Sequence, residues 1–212
     1  MAKYPVPGGV KTRLARVLGA DRACALYEAF MLDLAGRLAV LPYPVTWAFW
    51  PPTAPFPSLM PAARCRPQRG DDLGERMASA IADELVEHGG SVVVIGVDAP
   101  HLPAALLDEA AEALAGGADL VLGPAADGGY YLIGLARPIP ELFSGVAWGS
   151  PDVLDATRER AARLGLRTHV LPLEFDVDEP GDLTRLRATL SAGVVDLPRT
   201  ALLLGEVDAG RS

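Results

Sequence analysis

Apolar runs alternate along the chain with stretches in which apolar residues return every fourth position. PVTWAFW (44–50), SVVVIGV (91–97), ADLVLGPA (118–125), YYLIGL (130–135) and the less continuous RTHVLPL (167–173) are the apolar runs. Their length and β-branched content predict strands buried on both faces, as in a parallel sheet. The segment 20–41 places Leu26, Phe30, Leu34 and Leu38 on one helical face, and 72–90 does the same with Met77, Ile81 and Leu85. The segments 103–117, 150–165 and 180–193 complete the helices; Gly pairs close 72–90 and 103–117, and Ser-Pro-Asp opens 150–165. Strand and helix in alternation predict an α/β fold, a three-layer α/β/α sandwich around a mostly parallel, mixed sheet.

That pattern gives one domain over 1–193 and a tail over 194–212, with one short apolar run, ALLL (201–204), that is expected to pack loosely or stay mobile. PPTAPFPSLMP (51–61) reads as a Pro-rich surface loop. A sheet of this type opens with a strand that leads into its first ligand-binding loop. Only Met1, Ala2 and Lys3 precede that loop, so the first strand is expected to be truncated or very short.

With 212 residues, half of them hydrophobic, a sizeable core is expected. The net charge of −8 argues against a general affinity for nucleic acid or for anionic membranes. Cys24 and Cys65 have neither metal-ligand spacing nor a disulfide framework, so a reducing cytoplasm is the expected location. No run reaches the length of a membrane span. The oligomeric state is left open, a homodimer included.

Against this acidic background, MAKYPVPGGVKTRL (1–14) gathers Lys3, Lys11 and Arg13 around a Pro-Gly-Gly turn. Gly8 and Gly9 would let backbone N–H groups approach an anion, and Lys11 and Arg13 would neutralise phosphate oxygens. The spacing is not that of a Walker A loop. A solvated turn with surface cations is the plain alternative. Ligands of open α/β sheets bind at the carboxyl ends of strands, which singles out three more places. Asp98, after the 91–97 run, is placed to hold Mg²⁺ or Mn²⁺ or else to cap the helix near Pro103. His101 is expected at the surface. Asp127, Gly128 and Gly129 form a tight turn that is either a hairpin or a ligand contact. Asp176 and Asp178 alternate in EFDVDEPGDL, so both face one side; a cation between them would offset their repulsion, and Asp178 is also a candidate cap for the helix near Pro180. Arg76, in GDDLGERM, could reach a phosphate or a base or be a solvated helical Arg, and Trp148, in VAWGSP, could line an acceptor pocket or belong to the core or its rim.

Taken in order, the segments KxPxPGxVKTRL, GDDLGERM, GVDAPHL, DGGYYLIGL, WGSPDVL and FDVDEPGDL resemble a bacterial family of glycosyltransferase-A-like proteins. Its members are known as DUF2064, as nucleotide-diphospho-sugar transferases or as arsenosugar biosynthesis glycosyltransferases. The likeness runs to about residue 190. More distantly, the pattern is similar to guanylyltransferases with an N-terminal Lys/Arg loop and an Asp-x-Pro metal site. The family implies a Rossmann-like nucleotide site in which Lys3, Gly8, Gly9, Lys11, Arg13 and Arg76 bind the nucleotide or its phosphates. It implies Asp98 with Asp176 or Asp178 as ligands of Mg²⁺ or Mn²⁺, and Asp98 and Asp127 as catalytic residues. Gly128, Gly129 and Trp148 would border the sugar or acceptor. The expected activity is metal-dependent glycosyl transfer from a nucleotide-diphospho-sugar to a small acceptor. The chain lacks the Asp-x-Asp of metal-dependent glycosyltransferases, because Gly96 and Pro100 flank Asp98 at that spacing. Nucleotidyl transfer with release of pyrophosphate is therefore the alternative, and nucleotide binding without catalysis a third.

Overall fold

The computed structural model describes residues 1–209 and divides into two compact units. The first joins Met1–Pro67, Val97–Leu102 and the chain from Val177 onward; the second joins Gln68–Gly96 and Pro103–Asp176.

In the first unit a parallel sheet runs in the order β1 (Ala2–Lys3), β2 (Thr46–Trp50), β3 (Arg64–Pro67). The opening strand is thus present as two residues, with Ala2 opposite Phe49 and Lys3 opposite Trp50. Helix α1 (Thr12–Leu18) leads into α2 (Ala20–Leu38), and both bury their apolar stripe. Leu14, Leu26, Phe30 and Met31 are at most 1% exposed. Within the Pro-rich segment expected as a surface loop, α3 (Phe56–Leu59) forms instead, and Phe56 stacks on Phe49 at 5.0 Å. The cause is a single aromatic anchor that propensity rules do not weigh.

The tail, as far as residue 209, is also ordered where its looseness was expected. After α7 (Pro180–Ser191), α8 (Pro198–Ala209) packs on α2, with Leu197, Thr200 and Leu204 buried. Asp33 of α2 fixes the junction. Its buried carboxylate accepts the Arg199 N–H at 3.2 Å and the Thr200 N–H at 2.8 Å. A residue of one helix therefore caps the first turn of another and meets the positive end of its dipole. We expect Asp33→Ala to cost about 2 kcal/mol, the upper range for loss of a cap. Urea denaturation measures the loss, and faster exchange of the Arg199 and Thr200 amides localises it.

The second unit holds a four-stranded sheet in the order β4 (Val92–Ile95), β6 (Tyr130–Leu135), β5 (Leu120–Pro124), β7 (Thr168–Val170). β6 is antiparallel to both neighbours, whereas β5 and β7 are parallel. All six residues of β6 except Tyr130 are buried, which is why its sequence reads like that of a parallel strand. Helix α4 (Leu73–His88) packs on β4, and α5 (Ala104–Ala115) packs on β4, β5 and β6. Helix α6 (Val153–Arg163) begins two residues later than its Ser-Pro-Asp opening suggests. No helix among the described residues is long and apolar enough to cross a membrane.

Candidate functional site

Lys11 is where the first unit concentrates its charge. It precedes α1 with φ of +46°, a left-handed conformation that lysine adopts at a cost and that marks a position fixed by its surroundings. From there the side chain runs inward until only 2% of it is exposed. Its ammonium lies 6.0 Å from the ring centre of Tyr27 and 5.8 Å from that of Phe30, both on α2. Nζ donates to Asp98 Oδ1 at 2.5 Å and to Asp178 Oδ1 at 2.8 Å. Burial alone would lower the Lys11 pKa; the Asp98 and Asp178 charges and hydrogen bonds outweigh it, and the net shift is upward.

Two carboxylates from distant parts of the chain thus converge on one buried cation, and both stay 40–49% exposed. Neither acts as the helix cap that its sequence context also allowed. α7 is capped by Glu179, in a reciprocal box with Asp182, and α5 starts at Pro103 without a side-chain cap. Asp182 also accepts the Asp178 N–H at 3.1 Å, which fixes the backbone behind that carboxylate. The Asp98 carbonyl accepts the Val177 N–H at 2.7 Å. Phe175 and Val177 are buried while Asp176 and Asp178 are partly exposed, as the alternation implies. Asp176 is the last residue of the second unit, and the ammonium of Lys11 has Asp98 and Asp178 as its carboxylate partners.

The remaining N-terminal candidates differ among themselves. Gly9 donates its N–H to Val6 O at 2.8 Å, closing a turn in which Gly8 takes φ of +76°. Gly9 therefore has its amide engaged. Lys3 is exposed at the end of β1. Arg13 is 62% exposed and reaches Glu179 at 3.4 Å, a loose surface pair that leaves the guanidinium accessible.

His101 is buried rather than at the surface, with 2% exposure. Burial, and then the charges of Arg185 and Arg37, push its pKa down to about 4. Its sequence offered one signal, a His between Pro and Leu in an otherwise apolar turn.

In the second unit, Arg76 turns back on its own helix start, donating to Asp72 O at 2.9 Å and Asp71 O at 3.4 Å. Asp127 is exposed and accepts the Gly129 N–H at 2.9 Å, inside the turn that links β5 to β6. Gly128 has φ of +89°, and a Cβ there would lie 2.0 Å from Pro151 O, so only glycine fits. Trp148 stacks on Phe143 and meets Tyr130 edge-on. A Cβ on Gly74 would lie 2.7 Å from its ring, and its buried Nε1 has no acceptor among the described residues.

The donor set suits a hard divalent cation, because Asp98 Oδ2 and Asp178 Oδ2 have no hydrogen-bond partner among the described residues while both side chains reach solvent. No group of three or more His, Cys, Asp or Glu side chains gathers to hold a metal among the described residues. A Mg²⁺ ion typically takes one or two carboxylates and fills its shell with water and phosphate oxygens.

Comparison with known proteins bears on the family and the fold. A crystal structure from Desulfovibrio desulfuricans G20, described as a "putative nucleotide-diphospho-sugar transferase", is 38% identical, with a TM-score of 0.90 over 98% of this chain and 92% of its own. A 4-diphosphocytidyl-2C-methyl-D-erythritol synthase is 17% identical, with a TM-score of 0.54 over 89% of this chain and 96% of its own, a likeness of fold alone. No curated protein matches the chain. The fold is the Rossmann-like α/β fold of the nucleotide-diphospho-sugar transferases, of the glycosyltransferase-A type. The family model described as "Uncharacterized protein conserved in bacteria (DUF2064)" matches residues 44–150, and the chain belongs to that family.

Proposed function

We propose that the chain transfers a glycosyl group from a nucleotide-diphospho-sugar to a small acceptor, with Mg²⁺ or Mn²⁺ held by Asp98 and Asp178. The observation that carries this reading is the meeting of these two carboxylates on Lys11, each with one oxygen to spare. The relative described as a nucleotide-diphospho-sugar transferase, alike over nearly the whole chain, supports the choice of donor.

When bound, the divalent ion supplies neutralisation of the donor diphosphate and of the charge that develops as the nucleotide departs. The chain's own residues prepare for this. Lys11 holds the Oδ1 atoms of both aspartates and offsets the repulsion between the two carboxylates. Its engagement with the carboxylates leaves phosphate contacts to Arg13, Lys3 and the Gly8 amide. An acceptor hydroxyl attacks the anomeric carbon, the bond from that carbon to the diphosphate oxygen breaks, and the nucleoside diphosphate leaves with the electron pair. The sequence-based roles of Asp127 as base for the hydroxyl proton and of Gly128, Gly129 and Trp148 in sugar or acceptor contacts belong to the same proposal.

Titration with UDP- and GDP-sugars and with nucleoside triphosphates, with and without Mn²⁺, tests the reading on wild type and Asp98→Asn. We expect Asp98→Asn to lose Mn²⁺-dependent affinity by more than the ~10–100-fold typical of an outer-shell partner. Free nucleoside diphosphate from a nucleotide sugar supports glycosyl transfer. Pyrophosphate from a triphosphate replaces it with nucleotidyl transfer, and binding indifferent to Mn²⁺ without turnover leaves a nucleotide-binding protein.

A further inference from the structure

The turn directly after Asp98 is buried and irregular, and such a turn must find donors for its carbonyls. Ala99, His101 and Leu102 are 2–4% exposed. Leu102 closes the turn by donating its N–H to Ala99 O at 3.3 Å, which leaves the Pro100 and Leu102 carbonyls without partners inside the loop. Both are taken by one side chain from α2. Arg37 donates from Nη1 to Pro100 O and from Nη2 to Leu102 O, the latter at 2.5 Å.

We propose that Arg37 is a positioning residue that sets the Asp98 carboxylate, acting through the turn and not by touching any ligand. Two features of the geometry support this. First, the guanidinium is a planar fork, so holding two carbonyls with its two ends fixes the orientation of the turn as well as its position. A single point charge would fix only a distance. Second, the same helix carries Tyr27 and Phe30 beneath the Lys11 ammonium, whereas Arg37 lies at its last turn. One rigid helix therefore holds both partners of the Lys11–Asp98 pair, the lysine through two rings and the aspartate through the turn. The Asp98 carbonyl, held by Val177 N–H, is the third anchor. With the backbone fixed on both sides, the carboxylate needs no induced rearrangement to present its free oxygen.

The role as stated concerns Asp98 and Lys11; its effect on catalysis rests on the function proposed above. The test separates the two. Arg37→Met and Arg37→Lys are compared with wild type in the full chain without nucleotide. The ¹⁵N–¹H signal of the Lys11 ammonium reports its pairing with Asp98, and the Arg199 and Thr200 amides, held by Asp33 of the same helix, report the integrity of α2. Mn²⁺ alone is then titrated. In Arg37→Met we expect a displaced or faster-exchanging Lys11 signal, Arg199 and Thr200 amides still protected from exchange, and Mn²⁺ affinity lower by about 10–100-fold. Arg37→Lys is expected between Met and wild type, because an ammonium cannot span both carbonyls as the fork does. A folded Arg37→Met with a wild-type Lys11 signal overturns the proposal. If that variant does not fold, Arg37→Lys decides alone, and identity with wild type in both readouts overturns it. A wild type that ignores Mn²⁺ while its Lys11 signal responds to Arg37→Met refutes the metal site and upholds the role of Arg37.

Discussion

Replacing both Asp98 and Asp178 with Asn is expected to destabilise the protein by about 3 kcal/mol, the lower end of the cost of stranding a buried charge. The Lys11 side chain is 2% exposed and cannot recover water when its two counter-charges disappear. The asparagines keep an acceptor oxygen near Nζ, so shape and hydrogen bonding are nearly conserved and the loss is chiefly of charge. The converse case is not symmetric. The aspartates are 40–49% exposed, so removing Lys11 leaves them to the solvent. Adding Lys11→Met to the double variant is therefore expected to restore most of the loss, with the thioether lying over Tyr27 and Phe30. Alkaline pH provides a second check. In wild type the raised Lys11 pKa contributes stability that is complete below its unfolded value and is lost as pH rises through the higher folded value. In the double variant the sign inverts, and stability increases as pH rises toward the unfolded pKa. Urea midpoints at constant m value measure all three proteins. A double variant as stable as wild type, or a triple variant no better than the double, contradicts the account.

Acid pH is expected to weaken the fold through His101. Its pKa is about 4 in the folded protein against 6.5 for the free side chain, because burial and then Arg185 and Arg37 oppose its charge. Between these values the unfolded chain takes up the proton and the folded one does not, so stability falls as pH drops from 6.5 to about 4. The integrated loss is about 3 kcal/mol at 1.36 kcal/mol per unit of pKa difference. Carboxylates titrate at the lower end of the same range, so the useful quantity is the difference between wild type and His101→Gln. That difference should grow through the window and level off below it. Parallel curves would place His101 in contact with water.

The elements that could be read from the sequence are those whose own pattern decides them. The four-residue spacing in α2 and α4 and the apolar runs of β4, β5 and β6 do not depend on partners. What escaped depends on partners. The strand β3 is RCRP, polar and short, and exists because β2 lies beside it. The helix α8 is anchored by Asp33, a residue distant in sequence. The Lys11 environment escaped for the same reason, although one signal was present. By spacing alone Lys11 falls on the stripe of the buried Leu14 and Leu18, although the structure sets it just before α1 in a left-handed conformation. A cation on an apolar stripe predicts a buried charge with acidic partners. Asp33 lies similarly on the face of Phe30 and Leu34. The alternation over 176–178 left either aspartate open as the companion of Asp98, and the expected centre was a metal ion; that Asp98 and Asp178 meet on a buried lysine was not legible.

The first unit is assembled from three separated stretches, and its central cation draws partners 87 and 167 residues away. During synthesis, α2 emerges long before the segment that supplies Asp178 and α8. Until then Lys11 has at most half of its counter-charge, and the side of α2 destined for α8 has no cover. The intervening stretches can fold first as the second unit, because domains tend to form as units as they emerge. The first unit therefore completes its charged centre only after the segment from Val177 has emerged, and a nascent chain stalled short of Val177 would carry an uncovered helix, a target for chaperones and proteases.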